Sequence, residues 1–488
     1  MQIRTITLLL TLVPLISFAQ NRALENPAQA SIYEKGTIGE VVISHNISEH
    51  KDLLPVWDGS RSQVTKFQAQ GSTLTESGTI WSGYAGYSRG KKRNTMWSNV
   101  ANSEEFYPYL IADTVGGDYS YEIYTLGGSY GQRVGASTLA LSFGYEGSLH
   151  WRERDPRPKN TSSNIRTRVG WAYRSTIGYW GAAVGFDSQK QHMTISIEEQ
   201  YRKEKLYHLL GMGLYDHRYS TAESSFSRYY RGSKWSGELY YMQQSNRGLF
   251  ARWAFSSRSI RVEESDTRLS AISKRASSSI SLGYNSLNVG ALFLDLTMKL
   301  DANRTKGYER TYTKEESNSQ TGVFIPTLLS VSQPYKRSDM QAGLSFLLRP
   351  KESSSMPFQW LKLEVGGYTE RESHDDLFAK WSSLNSQVAT NFRFKTNKRS
   401  ALLVEASING ALNMNREIVV GEINEVVQGM TIPNFENRTR SRLCESLMFM
   451  QEIGVKNYFI TPFIRASAIQ GAASGEGWGV ETGVKFTL

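Results

Sequence analysis

The chain has 488 residues, 39% of them hydrophobic and 21% charged, with a formal net charge of +10 and one cysteine. That length would suit about three soluble domains, but no Pro-, Ser- or Gly-rich linker divides it, so one long architecture is expected. The lone Cys444 excludes an internal disulfide and gives no CxxC or Cys/His spacing for zinc, so neither a metal nor a cofactor is expected. The Lys and Arg residues are dispersed, without a compact basic cluster, which argues against nucleic acid and for an anionic outer surface or acidic solutes.

Residues 1–19 contain one charge, Arg4, an apolar run from Ile6 to Ile16 and the small-residue site Ser17-Phe18-Ala19. This predicts a secretory signal peptide cut after Ala19; the run is too short for a membrane anchor of about 20 residues. The residue immediately after the cut is Gln20 rather than cysteine, so no lipid anchor is expected. Residues 20–35 are expected to form a periplasmic N-terminal segment and residues 36–488 the main domain. No segment of the size of a TonB-dependent plug precedes it, which points away from energised import by this chain alone. After the signal no stretch of 18 apolar residues occurs, which leaves a closed barrel as the way to satisfy the backbone in lipid.

Alternation runs along most of the chain. The first arm is Gly36–Ile47, and a tight turn follows at Glu76-Ser77-Gly78. From Thr138 to Trp151, Leu139, Leu141, Phe143, Tyr145, Leu149 and Trp151 share one parity, with small or polar residues on the other. Side chains on a strand alternate between faces, so one face is apolar and one polar. Val169, Trp171 and Tyr173 continue the apolar face, Ser175–Gly178 turns, and Trp180, Val184 and Phe186 resume it. Further hairpins are expected at Ser245–Gly248, Asn285-Ser286 and Thr396–Arg399. Long polar loops are expected over Arg89–Asp118, Arg152–Ser163, Lys190–Lys205, Asn303–Lys336, Arg371–Ser383 and Asn413–Arg440; Tyr201–Tyr230 is too irregular to assign. The last strand sets Trp478, Val480, Val484, Phe486 and Leu488 against Gly479, Glu481, Gly483, Lys485 and Thr487, like the C-terminal signal read by the barrel-assembly machinery.

The fold class expected is all-β: a transmembrane antiparallel up-and-down β-barrel of roughly 14–18 strands in the bacterial outer membrane, with short periplasmic turns and long extracellular loops. On the polar parity, Arg166, Arg168, Arg174, Arg252, Arg258, Arg393 and Lys395 face the lumen, against Glu146, Asp187, Glu238 and Glu405. They serve either an anion-selective solute path or interstrand salt bridges that keep a polar interior satisfied.

Two loops and the N-terminus carry a family resemblance. Leu24-Glu25-Asn26-Pro27-Ala28, Trp97-Ser98-Asn99, the run from Pro108 to Asp118 and Asp155-Pro156-Arg157-Pro158-Lys159-Asn160 resemble an outer-membrane β-barrel family of Bacteroides-type bacteria known only as a domain of unknown function. The resemblance implies an outer-membrane barrel of this size and transfers no substrate, cofactor or catalytic residue. Within these motifs Asp113, Gly116, Gly117, Asp118, Asp155, Pro156, Arg157 and Pro158 are the loop candidates, either shaping the loops or meeting a ligand. Such loops fold inward as a constriction or stay outward as a docking surface.

Asp216-His217 and His374-Asp375-Asp376 are the places where a barrel-rim hydrolase would keep its acid and base, but neither belongs to a catalytic motif. A non-enzymatic channel passing a hydrophilic or amphiphilic solute is therefore expected. The alternative is a non-conducting barrel that docks a surface lipoprotein or an outer-membrane transporter, and the rim hydrolase is third.

Overall fold

The computed structural model describes residues 26–29, 37–222, 225–243, 247–264, 268–312, 328–351, 358–397, 399–455, 458–472 and 475–487. The expected signal peptide, and all of the expected periplasmic segment except Asn26–Gln29, lie outside the described residues.

In chain order the strands are β1 (Thr37–Lys51), β2 (Arg61–Leu74), β3 (Thr79–Thr95), β4 (Ile111–Ala112), β5 (Gly117–Val134), β6 (Ser137–Trp151), β7 (Arg157–Arg174), β8 (Gly178–Ser196), β9 (Glu204–Gly211), β10 (Leu214–Ser220) and β11 (Phe226–Gln243). They continue as β12 (Gly248–Glu264), β13 (Leu269–Val289), β14 (Leu292–Tyr312), β15 (Leu328–Pro350), β16 (Phe358–His374), β17 (Leu377–Asn397), β18 (Ser400–Val419), β19 (Arg442–Val455), β20 (Tyr458–Gly471) and β21 (Glu476–Thr487). All except β4, β9 and β10 join one 18-stranded antiparallel sheet. It closes where β1 pairs with β21, Ile43 opposite Val484, and Lys485 reaches Glu40 at 2.6 Å across the seam. Closure leaves no open edge, the condition for backbone in lipid.

The alternation decides which face is which. Leu141 is 55% exposed and Val169 58%, whereas Thr138, Ala140 and Ser142 on the other parity are buried. The outward face is the apolar one and meets lipid. Aromatic pairs rim it at two levels: Trp81 with Tyr130 and Trp180 with Tyr241 beside the periplasmic turns, Tyr87 with Tyr124 and Phe186 with Trp235 on the far side. Two aromatic girdles around an apolar band are the mark of an outer-membrane barrel, and the chain is one.

The loops are shorter than the sequence pattern predicts. Arg89–Thr95, Lys190–Ser196, Asn303–Tyr312 and Asn413–Val419 are strand. The stretch Arg371–Ser383 is a hairpin turning on Asp375 and Asp376, and Tyr201–Tyr230 contains β9, β10 and the start of β11. These strands run beyond the apolar band, where both faces lose the contrast that marks them within lipid. The pivot expected at Asn285-Ser286 is a bulge inside β13, with Ser286 at φ 59°, and the chain turns at Gly290.

Candidate functional site

Above the apolar band the lumen wall changes character. On β8 the inward parity runs Gly181, Ala183, Gly185, Asp187, Gln189 and Gln191, then Met193 and Ile195; β12 reaches Ile260 and Val262 the same way. Onto this apolar collar fold the extracellular loops. The β3–β5 loop contains α1 (Ser103–Phe106) and β4; the β8–β11 loop contains β9 and β10, which extend β4 into a three-stranded sheet with Ile111 opposite His208. The β18–β19 loop adds a π turn at Val427–Thr431 and α2 (Ile432–Thr439). Trp57, Trp97, Phe106, Leu110, Ile111, Leu206, Leu209 and Met430 pack with Met193, Ile195, Tyr230, Ile260 and Val262 into one core inside the barrel mouth. Burying each such side chain contributes about 1.5–3 kcal/mol, so the loops form a docked lid.

The loop motifs build that lid. Asp113 Oδ1 accepts the amides of Val115 and Gly116, shaping the reversal, while its Oδ2 accepts Arg152 Nη2 at 2.6 Å. Arg152 also donates to the Pro156 carbonyl, at 3.0 Å from Nε, and its own amide donates to the Pro158 carbonyl. Gly116, at φ 60°, has no room for a Cβ, which would fall 2.3 Å from Met96 Sδ. Gly117 opens β5 against Arg152, and Asp118 accepts the Asn94 amide and lies 3.4 Å from Lys91. Asp155 accepts the amides of Glu198 and Glu199 and Nε of Arg157. Burial alone would raise its carboxyl, but those partners outweigh it and hold it below the usual range. Asn160, fully buried, accepts from Ala101 and Gln191 and donates to the Asn99 carbonyl. Both motif loops are thus fastened to each other and to β8.

Behind β9, Arg228 of β11 donates to Glu264, to the Tyr109 carbonyl and, at 2.9 Å, to Nδ1 of His208. A guanidinium only donates, so that nitrogen is the acceptor. Burial, with the Arg228 charge next, pushes His208 well below the ordinary imidazole range.

Beneath the lid lies a chamber of about 1170 Å³ that reaches down to Asn285 and Leu347, beside the periplasmic turns. Among the described residues, thirteen Lys and Arg line it against nine Asp and Glu, so it is net basic. Its roof is acidic: Glu104 meets Arg337 at 3.0 Å and also Arg438, and Glu105 meets Arg258 at 2.8 Å. Of the expected lumen cations, Arg166, Arg168, Arg252 and Arg258 line the chamber. Arg166 pairs with Glu146 at 3.2 Å, Arg168 with Asp187 at 2.9 Å and Arg252 with Glu238 at 2.8 Å. Arg393 pairs with Glu452 near the periplasmic rim, Arg174 lies over Tyr179, and Lys395 is exposed; these three are outside the chamber lining. Arg275, Arg337, Arg438 and Arg442 line the chamber without having been singled out in the sequence; Arg275 and Arg337 share the inward parity of their strands.

At the floor, Asn26–Gln29 packs inside the barrel rather than beneath it. Ala28 is buried against Ala140 and Ala172, and Asn26 donates to the Ala182 carbonyl at 3.3 Å. At the rim, His374 lies between two carboxylates, Glu309 at 3.1 Å and Asp375 at 3.3 Å, while Asp216 accepts the amide of His217.

Residues 27–483 match the family of unknown function DUF6850, and the chain belongs to that family. No curated protein matches it. Among solved structures it is similar to the siderophore receptor PirA from Pseudomonas aeruginosa, at 8% identity and TM-score 0.36, covering 93% of this chain and 81% of that one. BauA, the ferric preacinetobactin receptor of Acinetobacter baumannii, gives 6%, 0.42, 93% and 80% in the same order. OccK9 of Pseudomonas aeruginosa gives 9%, 0.33, 93% and 97%.

Proposed function

We propose that this member of the DUF6850 family is a lidded outer-membrane channel for a hydrophilic, anionic solute, non-enzymatic and passive, with its extracellular mouth closed in this structure. The observation that supports the reading is the net-basic chamber beneath the lid. A barrel with only a structural interior would gain nothing from keeping a cavity of that size lined by charge, since each lumen ion carries a desolvation cost that water or a counter-ion must relieve. Excess Lys and Arg in a wet lumen raises the local anion concentration. The acidic roof contributed by Glu104 and Glu105 fits the same reading, because carboxylates seated on Arg337 and Arg258 occupy the sites an incoming anion would take.

The test is ion selectivity in planar bilayers. Open events should favour anions, and Arg168→Gln, which removes the 2.9 Å pair with Asp187 and leaves Lys234 at 3.6 Å from that carboxylate, should reduce that preference. Cation-selective openings in the wild-type protein would refute the reading.

A docking barrel is the second reading, favoured by apolar residues presented on the lid itself: Tyr201 is 98% exposed and Ile423 59%. A surface lipoprotein or transporter seated there would both hold the lid and control it.

A further inference from the structure

On the outward face above the apolar band, cations stand directly opposite one another. Lys274 on β13 is opposite Lys306 on β14, which is opposite Lys336 on β15. Arg304 lies one outward position below Lys306, and Ser338, opposite Arg304, is itself opposite Arg371 of β16. Around the barrel a second row repeats the arrangement: Lys190 of β8 is opposite Arg231, and Arg231 opposite Arg261 of β12. Like charges at directly opposed positions destabilise a sheet, where opposite charges would support it. In the second row Glu263 relieves Arg231 at 3.2 Å. In the first, the outward positions of β13 and β14 between Ile272 and Ile280 and between Ala302 and Lys306 hold no carboxylate; Lys274 rests on the Tyr308 ring, 5.1 Å from its centre.

Height fixes what such a row meets. The first large apolar side chains on the outward parity below the row are Ile280, six residues below Lys274, Leu300, six below Lys306, and Met340, four below Lys336. At ~3.3 Å per residue and a strand tilt of about 40°, the row stands ~10–15 Å above the apolar edge. Long lysine stems lie back along apolar surface and keep their amines at the polar boundary.

We infer that the β13–β15 face is a binding site for the phosphorylated headgroup of an outer-leaflet glycolipid. The headgroup phosphate carries the charge and the acceptor oxygens to bridge Lys274, Lys306 and Lys336, while the glycolipid's acyl chains lie against Ile280, Leu300 and Met340 below. Charge complementarity and the position of the row at the upper edge of the apolar band select this occupant over a free solute or an acidic protein. The inference stands apart from the channel reading, because these residues face away from the lumen.

The experiment uses the full barrel purified in detergent and follows its thermal unfolding with added lipopolysaccharide, before and after enzymatic dephosphorylation. Phosphorylated lipopolysaccharide should raise the unfolding temperature, more at low salt than at high. Lys274→Gln/Lys306→Gln/Lys336→Gln, at water-facing positions, should fold and weaken that binding by about tenfold or more. Charge reversal at a single site, Lys306→Glu, provides a second variant. An equal effect from the dephosphorylated lipid, or undiminished binding by both variants, would overturn the inference. So would stabilisation by an acidic polypeptide but not by lipopolysaccharide.

Discussion

Arg152 and Asp113, 39 residues apart, meet at 2.6 Å with both side chains 1% exposed. Asp113 belongs to the β3–β5 loop and Arg152 to the start of the β6–β7 loop, so this one pair fastens the two motif-bearing loops together. Removing one partner of a buried pair strands the other charge, at a cost of about 3–5 kcal/mol. Asp113→Ala should therefore expose the lid to limited proteolysis while the barrel below remains heat-modifiable on gels. Asp113→Ala/Arg152→Met should recover part of the protection. A single variant as resistant as wild type would show that the lid does not depend on the pair.

The face assignment is tested by neighbours on β17. Val388 points to lipid, 44% exposed, and Gln387 lines the chamber. Val388→Arg should cost about 2–4 kcal/mol of barrel stability near the bilayer midplane, and Gln387→Arg far less. Unfolding in urea from lipid vesicles gives both values. Equal losses would mean that the two faces do not meet different solvents.

Within the lipid band these faces were readable in the sequence because lipid outside and polar lumen inside impose opposite demands on alternate residues. That contrast gave the β-barrel, its location and most strands. Above the band the demands exchange: Met193 and Ile195 turn apolar toward the lid, while Lys190 and Arg231 turn charged toward water. The exchange is visible in Gln189-Lys190-Gln191-His192-Met193-Thr194-Ile195, but alternation of weaker contrast reads as loop when only an apolar outside is sought. The lid was not legible, since contacts such as Glu104 with Arg438 join residues 334 apart and no local pattern announces them. Arg166 and Arg168 were visible as inward cations; that the roof above them would be acidic required the fold.

His208 gives the lid a pH dependence of definite sign. Its folded-state value is lowered, by burial first and then by the charges of Arg228, Arg218 and Arg268. As pH falls through about 6.5, the undocked loop takes up a proton that the docked loop refuses, so docking weakens with acid. Proteolytic nicking of residues 204–220 should increase between pH 7.5 and pH 5.5. His208→Asn, which keeps an acceptor for Arg228, should flatten that response; an unchanged slope would assign it elsewhere.

At the floor, a Cβ on Gly170 would lie 2.2 Å from Asn26 Oδ1 and 2.9 Å from Pro27 Cδ. Gly170→Ala should expel Asn26–Gln29 from the wall and leave the strand ladder intact. A cysteine placed at Gln29 should then label faster with a water-soluble maleimide. Unchanged labelling would mean that the segment is held by contacts other than those with β7.

The lid over a basic chamber is the centre of the account, and conductance measures it. In planar bilayers the wild-type barrel should stay mostly closed. Glu104→Gln/Glu105→Gln/Phe106→Ala, which removes the ionic seats and the apolar anchor of α1 while sparing the barrel wall, should show long-lived, anion-selective openings. A correctly folded variant, verified by heat modifiability, that remains as silent as wild type would contradict the account.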